Sequence, residues 1–261
     1  MGAPPGSEDI LDLPTPKADA RVAYGTDTNQ FGDLRLPRGA GLFPIVLNLH
    51  GGFWRAKYDL VHAGHLCAAL TERGIATWNV EYRRVGDDGG GWPGSLEDAA
   101  SAWRFLPQLA RRYPLDPSRV LVMGHSAGGQ LAICMAAHEP SVTRVLSLAG
   151  LLDLHETYNL HLSHDAVVEF LGGAPTTVAE HYHEADPMEL SIPKARQVVV
   201  QGTADEIVPP DFSRKYAGGK LQRGENVELV EVPKANHFDL IDPRSRAFPW
   251  VTASVANLLA A

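Results

Sequence analysis

The sequence predicts an α/β protein built on a mostly parallel β-sheet with helices on both faces. Apolar runs of about five residues alternate with longer helix-like segments, which is the pattern of strands joined by helical crossovers. Most of the runs are continuous rather than alternating, as expected for strands covered on both faces. A chain of 261 residues with 44% hydrophobic residues can bury roughly three quarters of its unfolded surface. We therefore expect a single domain over residues 1–261.

The predicted elements follow this alternation from the N-terminal third onward. The first two strands are short and separated by a polar stretch, which favours an antiparallel pair. The predicted strands are Arg21–Tyr24, Asp33–Leu36, Ile45–Leu49, Ala76–Tyr82, Val120–Met123, Val145–Leu148, Val198–Gln201 and Val227–Val232. The predicted helices are Leu60–Thr71, Ser95–Tyr113 with a bend or break near Pro107, Ala127–Ala137 and Pro249–Leu259.

Two stretches fall outside the alternation. Residues 1–20 are rich in Pro, Asp and Gly, and we expect a disordered lead-in there. Residues 155–193 form a longer insert, rich in His, Leu and Glu, between two predicted strands. Because inserts at strand ends often shape a binding site, this segment is expected to form a small cap.

Charge and composition exclude several classes of partner. The chain has 23 Lys and Arg against 31 Asp and Glu, a net charge of −8, so we expect neither nucleic acid nor a membrane surface as a partner. No run of about 18 apolar residues occurs, and the N-terminus lacks the apolar core of a signal peptide. The cytoplasm is the expected location, with Cys67 and Cys134 as buried free thiols. The oligomeric state is left open.

The segment Gly124–Gly128 carries the clearest chemical signal. It reads G-H-S-A-G and lies between a predicted strand and a predicted helix, the context of a nucleophile elbow. The glycines leave room for a sharp, strained turn, and the start of the helix favours developing negative charge. Ser126 is therefore the predicted nucleophile.

A second glycine-containing motif, His50–Trp54 with the sequence H-G-G-F-W, directly follows another predicted strand. Acyl transfer generates an oxyanion, and each backbone N–H aimed at it contributes roughly 2.7–4 kcal/mol. Glycines at a strand end allow the backbone to turn such donors toward the reacting carbonyl. The predicted donors are Gly52 and Phe53, joined by Ala127 just after the nucleophile.

A serine nucleophile needs a base, and the base needs a carboxylate that orients it. His237 and Asp205 each lie just beyond one of the last two predicted strands, at the edge of the sheet where sites of α/β proteins gather. With Ser126 they give the chain order Ser, Asp, His. Asp153, just past an earlier strand, and Glu206 are the alternative carboxylates.

No cofactor is indicated. The glycine run Gly89–Gly91 lacks the Lys-Ser/Thr of a phosphate-binding loop. Several closely spaced histidines have the separation of metal ligands, but no paired Cys or Glu completes a ligand set, so no metal is expected. These pairs are His62/His65, His161/His164 and His181/His183.

Together these motifs resemble the α/β-hydrolase superfamily. Within it, the chain resembles the small esterases related to hormone-sensitive lipase and the kynurenine formamidases (arylformamidases), over roughly residues 20–261. Phe53 stands where lipase-type sequences have a third glycine, and Trp54 follows, giving the H-G-G-x-W form of the formamidase-like branch. The resemblance implies the α/β-hydrolase fold and a Ser126, His237, Asp205 triad.

A bulky ring at position 53 narrows the acyl side of the site, so short acyl groups are expected. The expected function is hydrolysis of carboxylic esters with short acyl groups through an acyl-enzyme intermediate. One alternative is an arylformamidase acting on N-formylkynurenine or a related aryl formamide, and another is a non-catalytic binding protein on the same fold. The expected substrate contacts are Phe53, Trp54, His125, Tyr158 and Phe238.

Overall fold

An eight-stranded sheet forms the centre of the computed structural model, which describes residues 8–260. The strand order is β1-β2-β4-β3-β5-β6-β7-β8; β1 and β2 pair antiparallel, as do β2 and β4, and the remaining pairs are parallel. The strands are β1 (Ala20–Ala23), β2 (Phe31–Arg35), β3 (Phe43–Leu49), β4 (Ala76–Val80), β5 (Leu115–His125), β6 (Arg144–Leu148), β7 (Arg196–Gly202) and β8 (Val227–Val232).

Helices connect the parallel strands. They are α1 (Gly64–Thr71), α2 (Gly94–Ala110), α3 (Ala127–His138), α4 (Leu154–Asn159), α5 (Ala166–Leu171), α6 (Ala179–Ala185), α7 (Pro210–Gln222) and α8 (Phe248–Ala260), with 3₁₀ helices at Glu8–Leu11, Leu60–Ala63 and Phe238–Leu240. Across residues 8–260, every helix is too short or too polar to span a bilayer.

Alternating side chains of the central strands enter two apolar layers, one on each face of the sheet. In β3, Ile45 and Leu47 pack with α2, α3 and α7, whereas Val46 packs on the opposite face with α1 and α8. Burying both faces explains why the strands read as continuous apolar runs. The predicted α/β class with helices on both faces is confirmed.

Several helices differ from those predicted from the sequence. The segment predicted as one helix over Leu60–Thr71 begins as a 3₁₀ helix, and Pro107 lies inside α2 without ending it. Helix α7 was not predicted, because Pro210 and the pair Gly218–Gly219 weaken its helical signal. It forms because Phe212 and Tyr216 bury against the sheet.

The expected lead-in divides into two parts. Residues 1–7 lie outside the described residues. Glu8–Leu11 forms a 3₁₀ helix, and the Ile10 side chain is buried in the layer that contains α8. The expectation of disorder is therefore corrected for residues 8–20, because apolar burial anchors this segment to the core.

Both cysteines are free and buried, as predicted. Burial raises the pKa of the Cys67 thiol to about 12 and raises that of Cys134 as well. Both therefore remain uncharged thiols at neutral pH.

Close approach of backbones at the start of α3 gives a stability prediction. A Cβ at Gly128 would lie 2.2 Å from the main-chain oxygen of Leu49, whereas a Cβ at Gly218 in α7 would meet nothing within 4 Å. Gly128→Ala should lower the free energy of unfolding by about 1–3 kcal/mol, and Gly218→Ala should raise it by roughly 0.4–1 kcal/mol. Urea denaturation measures both; equal effects would contradict the packing described.

Candidate active site

Ser126 lies at the turn between β5 and α3 in a strained backbone conformation, with φ 57° and ψ −120°. A Cβ at Gly124 would lie 2.0 Å from the main-chain oxygen of Gly128, so this turn requires glycine. The Ser126 N–H donates to the main-chain oxygen of Leu148 at 2.8 Å, which ties the turn to β6. The geometry is that of the nucleophile elbow expected from the sequence.

Asp205 and His237 are joined by a buried hydrogen bond between Oδ2 and Nδ1 of 2.8 Å. Asp205 Oδ1 also accepts from the N–H groups of Ile207 and Val208, each at 2.9 Å, and Oδ2 accepts from Gln201 Nε2 at 3.0 Å. A carboxylate surrounded by donors acts as an acceptor, so Nδ1 of His237 carries the proton. The lone pair on His237 Nε2 is then free to take a proton.

The loops that carry Asp205 and His237 pack directly on each other. A Cβ at Gly202 would lie 2.3 Å from the main-chain oxygen of Ala235, which shows how closely the backbones approach. The Ala204 N–H donates to that same oxygen at 2.9 Å. The two loops therefore hold the carboxylate and imidazole as one unit.

The alternative carboxylates are placed elsewhere. Asp153 accepts from the N–H of Glu156 at 2.8 Å and caps α4. Glu206 is exposed, whereas Asp205 is 6% exposed and contacts the imidazole. The geometry favours Asp205.

Ser126 and His237 line the same cavity. Among residues 8–260, no hydrogen bond joins Ser126 Oγ to the imidazole of His237, a common finding before substrate binds. Their separation is therefore set by the contacts of the loops that carry them.

The oxyanion loop, residues 51–54, has an unusual backbone. Gly52, Phe53 and Trp54 have φ values of 112°, 50° and 57°. Within the described part of the chain, no acceptor is found for the N–H groups of Gly52, Phe53 and Ala127. These are the donors expected from the sequence, and their free N–H groups suit a developing oxyanion.

His50 orients the peptide that carries the first of these donors. Its Nδ1 donates to the main-chain oxygen of Gly51 and its Nε2 donates to the Glu81 carboxylate, both at 2.8 Å. Since C=O and N–H point opposite ways in a trans peptide, drawing the Gly51 oxygen toward His50 turns the Gly52 N–H the other way. Burial alone would raise the pKa of Glu81, but His50 and Arg84 lower it overall.

The insert fastens the other end of the oxyanion loop. The Trp54 ring stacks on Phe170 of α5 at 4.4 Å and its Nε1 donates to Gln130 at 3.0 Å. Arg55 donates to Glu169 at 2.7 Å and to the Ser163 hydroxyl at 3.0 Å. The strained loop is thus held between α3 and the insert.

The cavity has a volume of about 210 Å³, below the roughly 300–1,000 Å³ typical of drug-sized ligand sites. No Asp, Glu, Lys or Arg side chain of the described residues lines it. Leu11, Tyr58, Ser163 and Ile207 were not predicted, since no local motif marks them. The lining residues are Leu11, Gly52, Phe53, Tyr58, His62, Ser126, Ser163, Ile207, His237 and Phe238.

Of the expected substrate contacts, Phe53 and Phe238 line the cavity, and three others do not. Trp54 is fully buried because its positive φ directs the ring toward Gln130 and Phe170. His125 is fully buried beneath the cavity. Tyr158 lies in α4 beside His161. The expectation that Trp54 and His125 contact substrate is therefore corrected, whereas Tyr158 is half-buried and lies off this cavity.

One group of side chains among residues 8–260 has the spacing of metal ligands, and it lies in the insert. It consists of His155, Asp186 and Glu189. The Asp186 carboxylate accepts from the N–H groups of Leu154, His155 and Met188, and Glu189 pairs with His155 at 3.1 Å.

Comparison with known proteins identifies the family. The sequence profile of the BD-FAE family matches residues 33–218, more than half of the 261-residue chain. The chain belongs to the BD-FAE family. This BD-FAE chain is 27% identical over 245 residues to "Probable isoprenylcysteine alpha-carbonyl methylesterase ICME" of Oryza sativa subsp. japonica, covering 84% of this chain and 58% of the relative. It spans little more than half the length of that curated relative.

Solved structures resemble this BD-FAE family chain along most of its length. A truncated form of carbohydrate esterase from gut microbiota has a TM-score of 0.80 at 18% identity, covering 99% of this chain and 100% of that one. The propionate-bound esterase Est2 of the Planctomycetes species Thermogutta terrifontis has a TM-score of 0.72 at 22% identity, covering 94% of each chain. These similarities confirm the predicted α/β-hydrolase fold.

The buried pair of His50 and Glu81 gives a pH-dependent prediction. Because the pKa of Glu81 is lower in the folded chain than its ordinary value of 4.5, its carboxylate stabilises the fold above that pH and the contribution is lost as pH falls. Glu81→Gln should lower the free energy of unfolding at pH 7 by about 1–3 kcal/mol, and the deficit should shrink toward about pH 4.

Urea denaturation across this pH range tests the prediction. Glu228→Gln, at an exposed position of β8, is the matched control and should change little. A Glu81→Gln deficit that does not depend on pH would contradict the ion pair.

Proposed function

We propose that this protein is a serine hydrolase that cleaves carboxylic esters with short acyl groups through an acyl-enzyme intermediate. The observation that carries the proposal is the convergence of Ser126, the Asp205–His237 pair and three unpaired N–H groups around one small cavity. The esterase names of the relative and the solved structures support it. A strained backbone at Ser126 costs free energy, and in a protein that only binds a ligand no gain in catalysis would offset that cost.

In the proposed reaction, Ser126 Oγ attacks the ester carbonyl while His237 Nε2 takes its proton. The N–H groups of Gly52, Phe53 and Ala127 stabilise the oxyanion, aided by the start of α3. Collapse breaks the bond to the alcohol, which leaves with the proton from His237. Water then attacks the acyl group by the same route, releasing the acid and restoring Ser126. Throughout, Asp205 holds the imidazole and stabilises its charged form.

The cavity favours a neutral substrate with a small acyl group. Phe53 and Phe238 provide apolar walls, and no permanently charged side chain of the described residues is present to pair with an ionic group. N-formylkynurenine carries an ammonium and a carboxylate, and burying them here would leave both charges unpaired at a large cost. The ester is therefore favoured over this formamide, although the same catalytic groups would act on either bond.

The Phe53 ring, which forms one apolar wall of the cavity, gives a prediction about acyl-chain length. For the wild type, kcat/KM should be higher for p-nitrophenyl acetate than for p-nitrophenyl decanoate or N-formylkynurenine. Phe53→Gly removes the ring and tolerates the positive φ, so the ratio of decanoate to acetate kcat/KM should rise by roughly tenfold, the scale set by apolar pocket contacts.

Two controls accompany this measurement. Tyr158→Ala, which lies off the cavity, should leave the chain-length ratio unchanged. Ser126→Ala should lower kcat by several orders of magnitude, because members of a triad act as a unit. A decanoate rate above the acetate rate in the wild type, or turnover close to wild type in Ser126→Ala, would contradict the proposal.

A further inference from the structure

Three histidine rings lie in a row at the cavity: His62 and His237, which line it, and His125 between them. The ring centroid of His125 lies 4.4 Å from that of His237, and the His62 ring lies 5.1 Å from that of His125. His125 directly precedes Ser126 and is fully buried, whereas His62 belongs to the 3₁₀ helix before α1. The proposed reaction uses neither His62 nor His125.

The hydrogen bonds of these rings fix the position of each proton. His125 Nε2 lies 3.0 Å from the main-chain oxygen of His237, and because a carbonyl only accepts, Nε2 carries the proton and donates. Nδ1 of His125 then bears a lone pair and accepts from His62 Nε2 at 2.8 Å. Nδ1 of His62 is left with a lone pair, buried and without a partner among residues 8–260.

Both rings are held neutral. Burial lowers the pKa of His62 to about 3, with further lowering by His50 and His237, and burial lowers the pKa of His125 well below its ordinary value. A second proton on His125 would face the N–H of His62 instead of an acceptor. The two rings therefore form a donor chain of fixed direction, from His62 through His125 to the backbone of His237.

We propose that His62 and His125 are positioning residues that hold the backbone of His237 in place relative to Ser126; this inference rests on the proposed function. No direct hydrogen bond joins the nucleophile to the base within the described residues, so other contacts must set their separation. The bond from His125 connects the residue beside the nucleophile to the main chain of the base across 112 positions of sequence.

The hydrogen bond of His125 with the His237 backbone complements the hydrogen bond that Asp205 makes to the His237 ring. That carboxylate fixes the imidazole ring at Nδ1, whereas His125 fixes the backbone from which the ring extends. Two anchor points define where Nε2 lies. His62 keeps His125 in its donating tautomer, because its own N–H occupies the other nitrogen of that ring.

Kinetics of p-nitrophenyl acetate hydrolysis test the proposal. His125→Ala should lower kcat by roughly 100-fold, the scale of a displacement of about 1 Å, while KM changes little. His125→Gln, whose amide N–H can donate to the same carbonyl, should recover about tenfold or more of that loss. His62→Phe should lower kcat less than His125→Ala, and the exposed control His138→Gln should match the wild type.

A spectroscopic readout separates positioning from stability. In the protein labelled with ¹⁵N at histidine, both His62 and His125 should appear as neutral Nε2–H tautomers, assigned by their loss in the variants. Observation of His125 as the Nδ1–H tautomer or as an imidazolium would overturn the proposal. So would a His125→Ala kcat near that of the wild type, or a His125→Gln variant no better than His125→Ala.

The two proposals fail in distinguishable ways. If the wild type hydrolyses no ester, the proposed function fails on that result alone. The tautomer measurement needs no turnover, and any result other than neutral Nε2–H tautomers overturns the hydrogen-bond chain from His62 to His237 whether or not an ester is hydrolysed.

Discussion

The hydrogen bond between Asp205 and His237 is the interaction on which the rest of the site depends. It forms because β7 and β8 are parallel neighbours, so that the loops after both strands emerge at the same edge of the sheet. The close approach of Gly202 to Ala235 locks those loops together. With the carboxylate surrounded by N–H donors, the imidazole is left with one assigned proton and one free lone pair facing the cavity shared with Ser126.

On the other side of the cavity, the loop of residues 51–54 has a backbone conformation that needs support from the surrounding structure. Positive φ values at Phe53 and Trp54, which glycine alone adopts without strain, cost free energy, and the surrounding structure compensates. His50 draws one carbonyl inward, and the stack of Trp54 on Phe170 fastens the loop to the insert. The insert therefore contacts the loop that carries the proposed oxyanion donors, and its Ser163 lines the cavity.

The proposed catalytic groups could be predicted from local motifs, because the turn at Ser126 and the strand ends before Asp205 and His237 each lie in a contiguous stretch of sequence. Side-chain direction was harder to predict. Trp54 was expected in the substrate site, but its backbone conformation turns the ring into the core. Leu11 and Ser163 reach the cavity only through long-range folding, and no short pattern marks them. Helix α7 was missed since tertiary burial, not propensity, stabilises it.

The kinetics of Asp205→Asn with p-nitrophenyl acetate, compared with Asp153→Asn, test most directly whether the Asp205–His237 hydrogen bond sets the tautomer of the base. An amide at position 205 would offer an N–H to Nδ1 of His237 and favour the tautomer in which Nε2 is already protonated. We expect Asp205→Asn to lower kcat by roughly 10⁴-fold with little change in KM, and Asp153→Asn to keep a rate near that of the wild type. Near wild-type turnover in Asp205→Asn, or the large loss in Asp153→Asn instead, would contradict this expectation.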